Sequence, residues 1–317
     1  MAESIEDSLK QIPVVKNIVV FLQKIELPGL DGLTLYDLLE LYGLGIVKGT
    51  LTARASAIAF SFFTAIFPFL LFVIILIPLI PIEGFPLAFQ DFLQTFLPPQ
   101  TSDFFMGNIF ENLKSNEQAG LLSSVFLLSM FLMANGVSAV FSGFENSYHK
   151  QLVRSIFKQY MYAFGVALIL AFLVLFTVAV FFYTQIYIIT PLYETFSGRA
   201  FEDGGLGYVQ FGKYLFFVIM TYIGIATLYY FGTKDGRESR FFSIGALFTT
   251  LLIMLTSFLF GVYIDNFSRY NELYGSIGAL LILLLYLWLN ANILLLGYEL
   301  NATIRGLHKI NLSEEEE

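Results

Sequence analysis

The sequence predicts an all-α, polytopic membrane protein of six transmembrane helices, with amphipathic interfacial helices at the N-terminus and in the first outer loop. Three observations carry this reading. Hydrophobic residues make up 57% of the 317 and charged residues only 13%, whereas soluble domains run near half apolar and about a quarter charged. Six runs are long enough to cross a hydrocarbon core of roughly 30 Å at about 1.5 Å per helical residue. The basic residues crowd into alternate connections between those runs.

Composition also excludes. Without cysteine there is no disulfide framework, thiolate nucleophile or Cys-based metal site. Two histidines, His149 and His308, are too few for histidine-rich metal chemistry, so no cofactor is expected. A net charge of −8 and an acidic tail at 314–317 argue against nucleic acid as a partner, because phosphate binding needs a concentrated basic surface. The first strongly apolar run starts near Ala55, too deep and too long for a cleaved signal peptide, so the start of the chain is expected to be retained.

The chain divides into an amphipathic N-terminal segment (1–54), a six-helix domain (55–304) and an acidic tail (305–317). Residues 16–25 read as a short helix that Pro28 and Gly29 end, with a turn at Asp31-Gly32. Thr34 can cap a second helix whose Leu35, Leu38, Leu39, Tyr42, Ile46 and Val47 share one face. These helices lie either in the membrane interface or on the bundle's own inner face.

The spans are expected at 55–80, 120–140, 161–187, 214–231, 241–264 and 277–298. Two amphipathic pieces, 85–97 and 104–113, are split by Pro98-Pro99 and too short to cross, so they read as interfacial helices of the outer loop. No internal repeat relates the two halves, so nothing supports an inverted-repeat transporter. With the N-terminus inside, the inner segments hold Lys10, Lys16, Lys24, Lys48, Arg54, Lys150, Arg154, Lys158, Lys234, Arg237, Arg240, Arg305 and Lys309. Only Lys114, Arg199, Lys213 and Arg269 are left outside, which places both termini in the cytoplasm.

Polar residues inside these runs mark candidate sites. In the first span Ala53, Ala57, Ser61 and Ala65 recur every four residues, a small-residue stripe that lets another helix approach. Pro68 deprives the Thr64 carbonyl of its usual donor and makes either a hinge or a packing kink. The second span ends in Asn135, Ser138, Ser142, Glu145 and Asn146, the first four on one face. The third is nearly without polar groups between Val166 and Phe182 and is expected to face lipid. In the sixth, Asn290 and Asn301 share one face with Gly297, while Asn292 and Glu299 share the next.

Depth counting brings Arg54, Glu145, Asn146, Glu299 and Asn301 to the cytoplasmic edge of the bundle. A lone charge at mid-membrane costs about 2.5–3.5 kcal/mol on insertion scales. Arg54 can offset one carboxylate but not two, so Arg154, Arg305, a proton or interfacial water must serve the other. These groups are either a substrate or proton site, or anchors that fix topology by reaching water.

Three blocks resemble the YihY/BrkB family: LTARASAIAFSFFTAIFPFLLFVIILIPLIPI (51–82), GLLSSVFLLSMFLMANGVSAVFSGFENSYH (120–149) and YGSIGALLILLLYLWLNANILLLGYELNATI (274–304). The last is the most specific, opening at Tyr274-Gly275-Ser276 and closing at Gly297 to Asn301. Tyr298 stands where many members have a small residue, which implies a narrower groove there, and Glu145 stands beside the expected Asn146. The resemblance implies a six-helix protein of the bacterial inner membrane. Some members bear a ribonuclease label that this sequence does not support; others are connected with envelope integrity and lipid export.

The ordering of functions is therefore movement of a lipid or lipid-linked envelope component, then small-solute or ion transport, then a non-transporting envelope scaffold, with an enzyme last. Membrane lipids are the expected partners, and envelope proteins could engage the outer loops. Lipid movement predicts a cavity among spans one, two and six that opens sideways; a scaffold predicts tight packing there.

Overall fold

The computed structural model describes residues 19–26, 34–40, 50–76, 119–146, 154–184, 187–188, 191, 195, 206–238, 240–266 and 276–315. The expected helices at 85–97 and 104–113 lie outside them. Six long helices dominate: α1 (Thr50–Leu76), α2 (Ala119–Glu145), α3 (Ile156–Thr184), α4 (Leu206–Gly232), α5 (Ile244–Asn266) and α6 (Ser276–Glu315). Each contains a stretch long and apolar enough to cross a membrane. Runs of Leu, Ile, Phe and Ala form helix here because lipid leaves every backbone polar group to be satisfied within its own segment.

Among the described residues there is no strand, only one bridge between Glu26 and Thr34. The Thr34 cap is present as a reciprocal capping box. Its backbone N–H donates to Asp37 Oδ2 at 2.8 Å while Asp37 N–H donates to Thr34 Oγ1 at 3.3 Å.

The helices pack in chain order, each against the next, and α6 returns to α1 to close a ring. Helix α2 leans inward and also touches α4 and α6. The starts of α1, α3 and α5 and the ends of α2, α4 and α6 share one end of the bundle. That end, called the basic end below, carries Arg54, Arg154, Arg237 and Arg305.

Helix α1 is helical on both sides of Pro68. Two features differ from the sequence reading. The α1 stripe of small residues turns across the surface, with Ala53 and Ala57 exposed and Ala65 buried, because a four-residue repeat advances about 40° per step on a 3.6-residue helix. The buried face is Leu51, Ala55, Ile58 and Ala59. Helix α3 does not face lipid all round: Ala163, Ala167 and Ala171 are buried, while Ile169, Phe172 and Phe176 are exposed.

Candidate functional site

Of the five polar residues predicted for the basic end, Arg54, Glu145, Glu299 and Asn301 fall into three separate arrangements. Arg54 donates from one guanidinium nitrogen to Glu299 Oε1 at 3.0 Å and from the other to the Gly143 carbonyl at 2.9 Å. One side chain thus ties α1 to both α6 and α2, with only 11% of the Arg54 and 6% of the Glu299 side chain exposed. Approach is close because Gly143 has no Cβ; one there would come within 2.8 Å of Ile58 and 3.2 Å of Leu295.

Glu145 joins a different partner. Its Oε1 accepts the backbone N–H of Arg154 at 3.2 Å. The Arg154 guanidinium reaches across to the carbonyls of Phe231 and Gly232, at 2.9 and 3.0 Å, the unpaired C-terminal groups of α4. Burial lowers the Arg154 pKa from its ordinary value, and the Glu145 carboxylate opposes that shift. The second carboxylate meets Arg154 through its backbone N–H, with the guanidinium turned to the α4 carbonyls but still close enough to feel the charge.

Asn301 caps α5. Its Oδ1 accepts the Gly245 N–H at 2.9 Å and its Nδ2 donates to Ser243 Oγ at 2.8 Å. Ser243 is itself the N-cap, its Oγ accepting the Ala246 N–H at 3.3 Å. Beside it α5 and α6 nearly touch. A Cβ on Gly297 would collide with Thr249 Oγ1 and come within 2.6 Å of the Tyr229 hydroxyl. That hydroxyl donates to the Leu294 carbonyl at 2.7 Å and pairs with Thr249 Oγ1 at 2.6 Å. Tyr298 is fully buried, stacked on Phe144 at 4.1 Å between centroids, with its hydroxyl 2.8 Å from Thr233 Oγ1. It therefore fills the space between α2 and α6 rather than narrowing an open groove.

The remaining candidates lie apart from these groups. Asn146 is exposed and donates to the Ser142 carbonyl at 2.8 Å. Asn135 is exposed on α2. Ser61 sits at the crossing of α1 with α2, its carbonyl 3.6 Å from where a Gly136 Cβ would stand. Asn290 and Asn292 donate to the carbonyls four residues earlier, Tyr286 and Trp288. Asn290 Oδ1 is buried without a partner.

The polar face of α2 points at α3, where Gln159 Nε2 donates to Ser142 Oγ at 2.9 Å and to the Ser138 carbonyl at 3.3 Å. Sequence reasoning missed Gln159, Tyr229 and Thr249. The signal was thin: Gln159 lies just before the third predicted span, and the other two are single hydroxyls in apolar runs.

The cavity also lies elsewhere. Among the described residues α1, α2 and α6 pack closely at Gly136 and Gly143, where a groove was expected, whereas a cavity of about 1090 Å³ lies among α3, α4 and α5. Its lining runs from Leu170, Gly224 and Met254 in the middle of the bundle to Phe181, Tyr214 and Val262 at the end away from Arg54. Among the described residues, Thr177, Thr221 and Ser257 are the hydroxyl-bearing ones in it besides Tyr214, and none that line it is charged. Tyr214 and Phe258 on its rim are 69% and 68% exposed, so it opens sideways through the apolar belt.

Residues 45–316 match the family described as Virulence factor BrkB. A Bacillus subtilis (strain 168) protein named ribonuclease-like YfkH is 24% identical over 269 residues, 81% of this chain and 91% of that one. A UPF0761 membrane protein of Aggregatibacter aphrophilus (strain NJ8700) is 24% identical over 274 residues, 85% of this chain and 94% of that one. No solved structure matches.

Proposed function

The chain belongs to the BrkB family, and from that membership and the geometry of the bundle we propose that it moves a lipid, or a lipid-linked envelope component, across or out of the bacterial inner membrane. The observation that carries this reading is the sideways-open cavity among α3, α4 and α5. Its volume lies just above the usual range of ligand pockets, roughly 300–1,000 Å³, and its lining suits acyl chains rather than a hydrated solute. The headgroup would then travel past Thr177, Thr221 and Ser257.

The two ends of the bundle complement one another. The basic end is drawn together by the Arg54–Glu299 pair, the Asn301 cap and the Tyr298–Phe144 stack, while the lining of the sideways-open groove extends toward the other end. A bundle open on one side and sealed on the other is the form a carrier takes in one half of its cycle. Loop charge would place the sealed end, and both termini, in the cytoplasm. Arg54 and Glu299 act in this reading as the seal, not as the headgroup contact.

The ribonuclease-like name belongs to the Bacillus subtilis relative. For this chain we read a transporter without catalytic residues or cofactor. A scaffold is the second reading, favoured by the tight packing of α1, α2 and α6 around Gly143. Photo-crosslinking separates the two. A phospholipid carrying a diazirine on its acyl chain should label groove residues such as Met254 and Phe258 above the level of the exposed α3 residue Phe172. Uniform labelling of exposed apolar positions would remove the support for a lipid site.

A further inference from the structure

At the end of the bundle opposite the groove, two segments meet on one ring. The chain enters α3 through Arg154 and leaves α4 through a short 3-10 turn, Asp235–Glu238. The Arg154 guanidinium lies 4.5 Å from the centroid of Tyr162, and that of Arg237 lies 5.1 Å from the same centroid. Two like charges on one aromatic ring repel, and a position that holds them together is suited to an anion. Arg154 is committed to the α4 carbonyls. Arg237 is exposed, and among the described residues its contacts are the rings of Tyr162 and Phe231.

The surroundings fit a membrane boundary. Lys158, one helical turn before Tyr162 and on its face, is exposed, as are Lys234 and Arg240. Ile156 and Phe157, next to Lys158, are 87% and 76% exposed, and Phe242 stands out beyond Arg240. Glu145 is paired beside Arg154, and Asp235 and Glu238 belong to the same turn as Arg237. The five basic residues Arg154, Lys158, Lys234, Arg237 and Arg240 therefore outnumber three acidic ones. Exposed cations beside exposed large apolar side chains, at the end of apolar spans, match the level where acyl chains give way to headgroups.

We infer that this patch binds the phosphate of an anionic phospholipid headgroup in the leaflet at the basic end. Arg237 and Lys158 are the direct contacts, and Ile156 and Phe157 seat among that lipid's acyl chains. The Tyr162 face holds the Arg237 guanidinium in a plane, which presents two parallel N–H donors to phosphate oxygens. The site is separate from the α3–α4–α5 groove and does not depend on lipid being moved.

The test uses the full chain in neutral detergent, with native mass spectrometry reading retained phosphatidylglycerol and phosphatidylcholine of the same acyl chains. Preferential retention of phosphatidylglycerol is expected. Arg237→Gln and Lys158→Gln should each lower it about fivefold, leaving phosphatidylcholine retention and thermal stability unchanged. Gly261→Phe, which fills the groove, should leave the preference intact. Equal retention of the two lipids, or an undiminished preference in the double variant, overturns the proposal. Inorganic phosphate is the third arm. Displacement of phosphatidylglycerol by an equal concentration of free phosphate would make this a site for the free anion and overturn it; resistance supports the headgroup.

Discussion

Arg54 of α1 and Glu299 of α6, 245 residues apart in sequence, meet at 3.0 Å and join the first helix of the ring to the last. The second guanidinium nitrogen holds the Gly143 carbonyl of α2, so the pair fixes a three-helix junction. Removing one member leaves the other as an uncompensated charge in a mostly buried site. Arg54→Gln and Glu299→Gln should each destabilise the protein by about 3 kcal/mol. The double variant should lose clearly less than the sum, because it strands neither charge. Thermal unfolding in detergent, read as a double-mutant cycle, measures this coupling; additive losses would mean the pair does not hold the junction.

The Gly297–Gly245 contact makes a steric prediction. Gly297→Ala should cost about 1–3 kcal/mol, because its methyl group meets Thr249 and Tyr229, which are held by their own hydrogen bonds. Gly261→Ala, where a Cβ meets nothing within 4 Å, should be neutral or stabilise by up to about 1 kcal/mol through helix propensity. The difference in melting temperature between these two variants reads the close approach of α5 and α6.

Asn301 acts as a cap from a neighbouring helix. Asn301→Ala should cost about 1 kcal/mol, and Asn301→Asp should recover part of it by keeping an acceptor for the Gly245 N–H. Hydrogen exchange at the first turn of α5 is the sharper reading. Exchange there should quicken in Asn301→Ala, while the middle of α5 stays protected.

Asn290 separates stability from transport. Its Oδ1 is buried and unpartnered, so Asn290→Leu should raise stability by about 1 kcal/mol. If the residue hands cargo along, the same variant should slow lipid movement while melting higher. A stabilised variant with full transport would assign Asn290 no part in handling cargo.

The sequence disclosed helices more readily than faces. Hydrophobic runs located all six spans, because a membrane demands length and apolarity from each segment by itself, and Thr34 was legible as a helix cap, though not its reciprocal partner Asp37. Arg54 and Glu299 could be placed at one depth because few charges lie there, but which carboxylate Arg54 meets was settled only by packing. Which way a face points was harder to read. Asn135, Ser138, Ser142 and Glu145 do share a side of α2, but Ser138 and Ser142 meet Gln159 of α3 rather than α1 or α6. The groove was misplaced for a related reason: polar residues were used to locate it, and its lining is almost wholly apolar, like any lipid-facing surface. Only packing of the whole ring reveals that α3, α4 and α5 stand apart.

Gly261 offers the most direct test of lipid movement, since it lines the groove and has open space where a side chain would grow. The measurement is the initial rate at which fluorescent phospholipid crosses the bilayer of liposomes holding the purified protein, followed by chemical quenching from outside. Wild-type protein should carry lipid well above the rate of empty liposomes. Gly261→Phe, folded and as stable as wild type, should bring the rate close to that background. A wild-type rate equal to background, or an undiminished rate in Gly261→Phe, would contradict lipid passage through the groove among α3, α4 and α5.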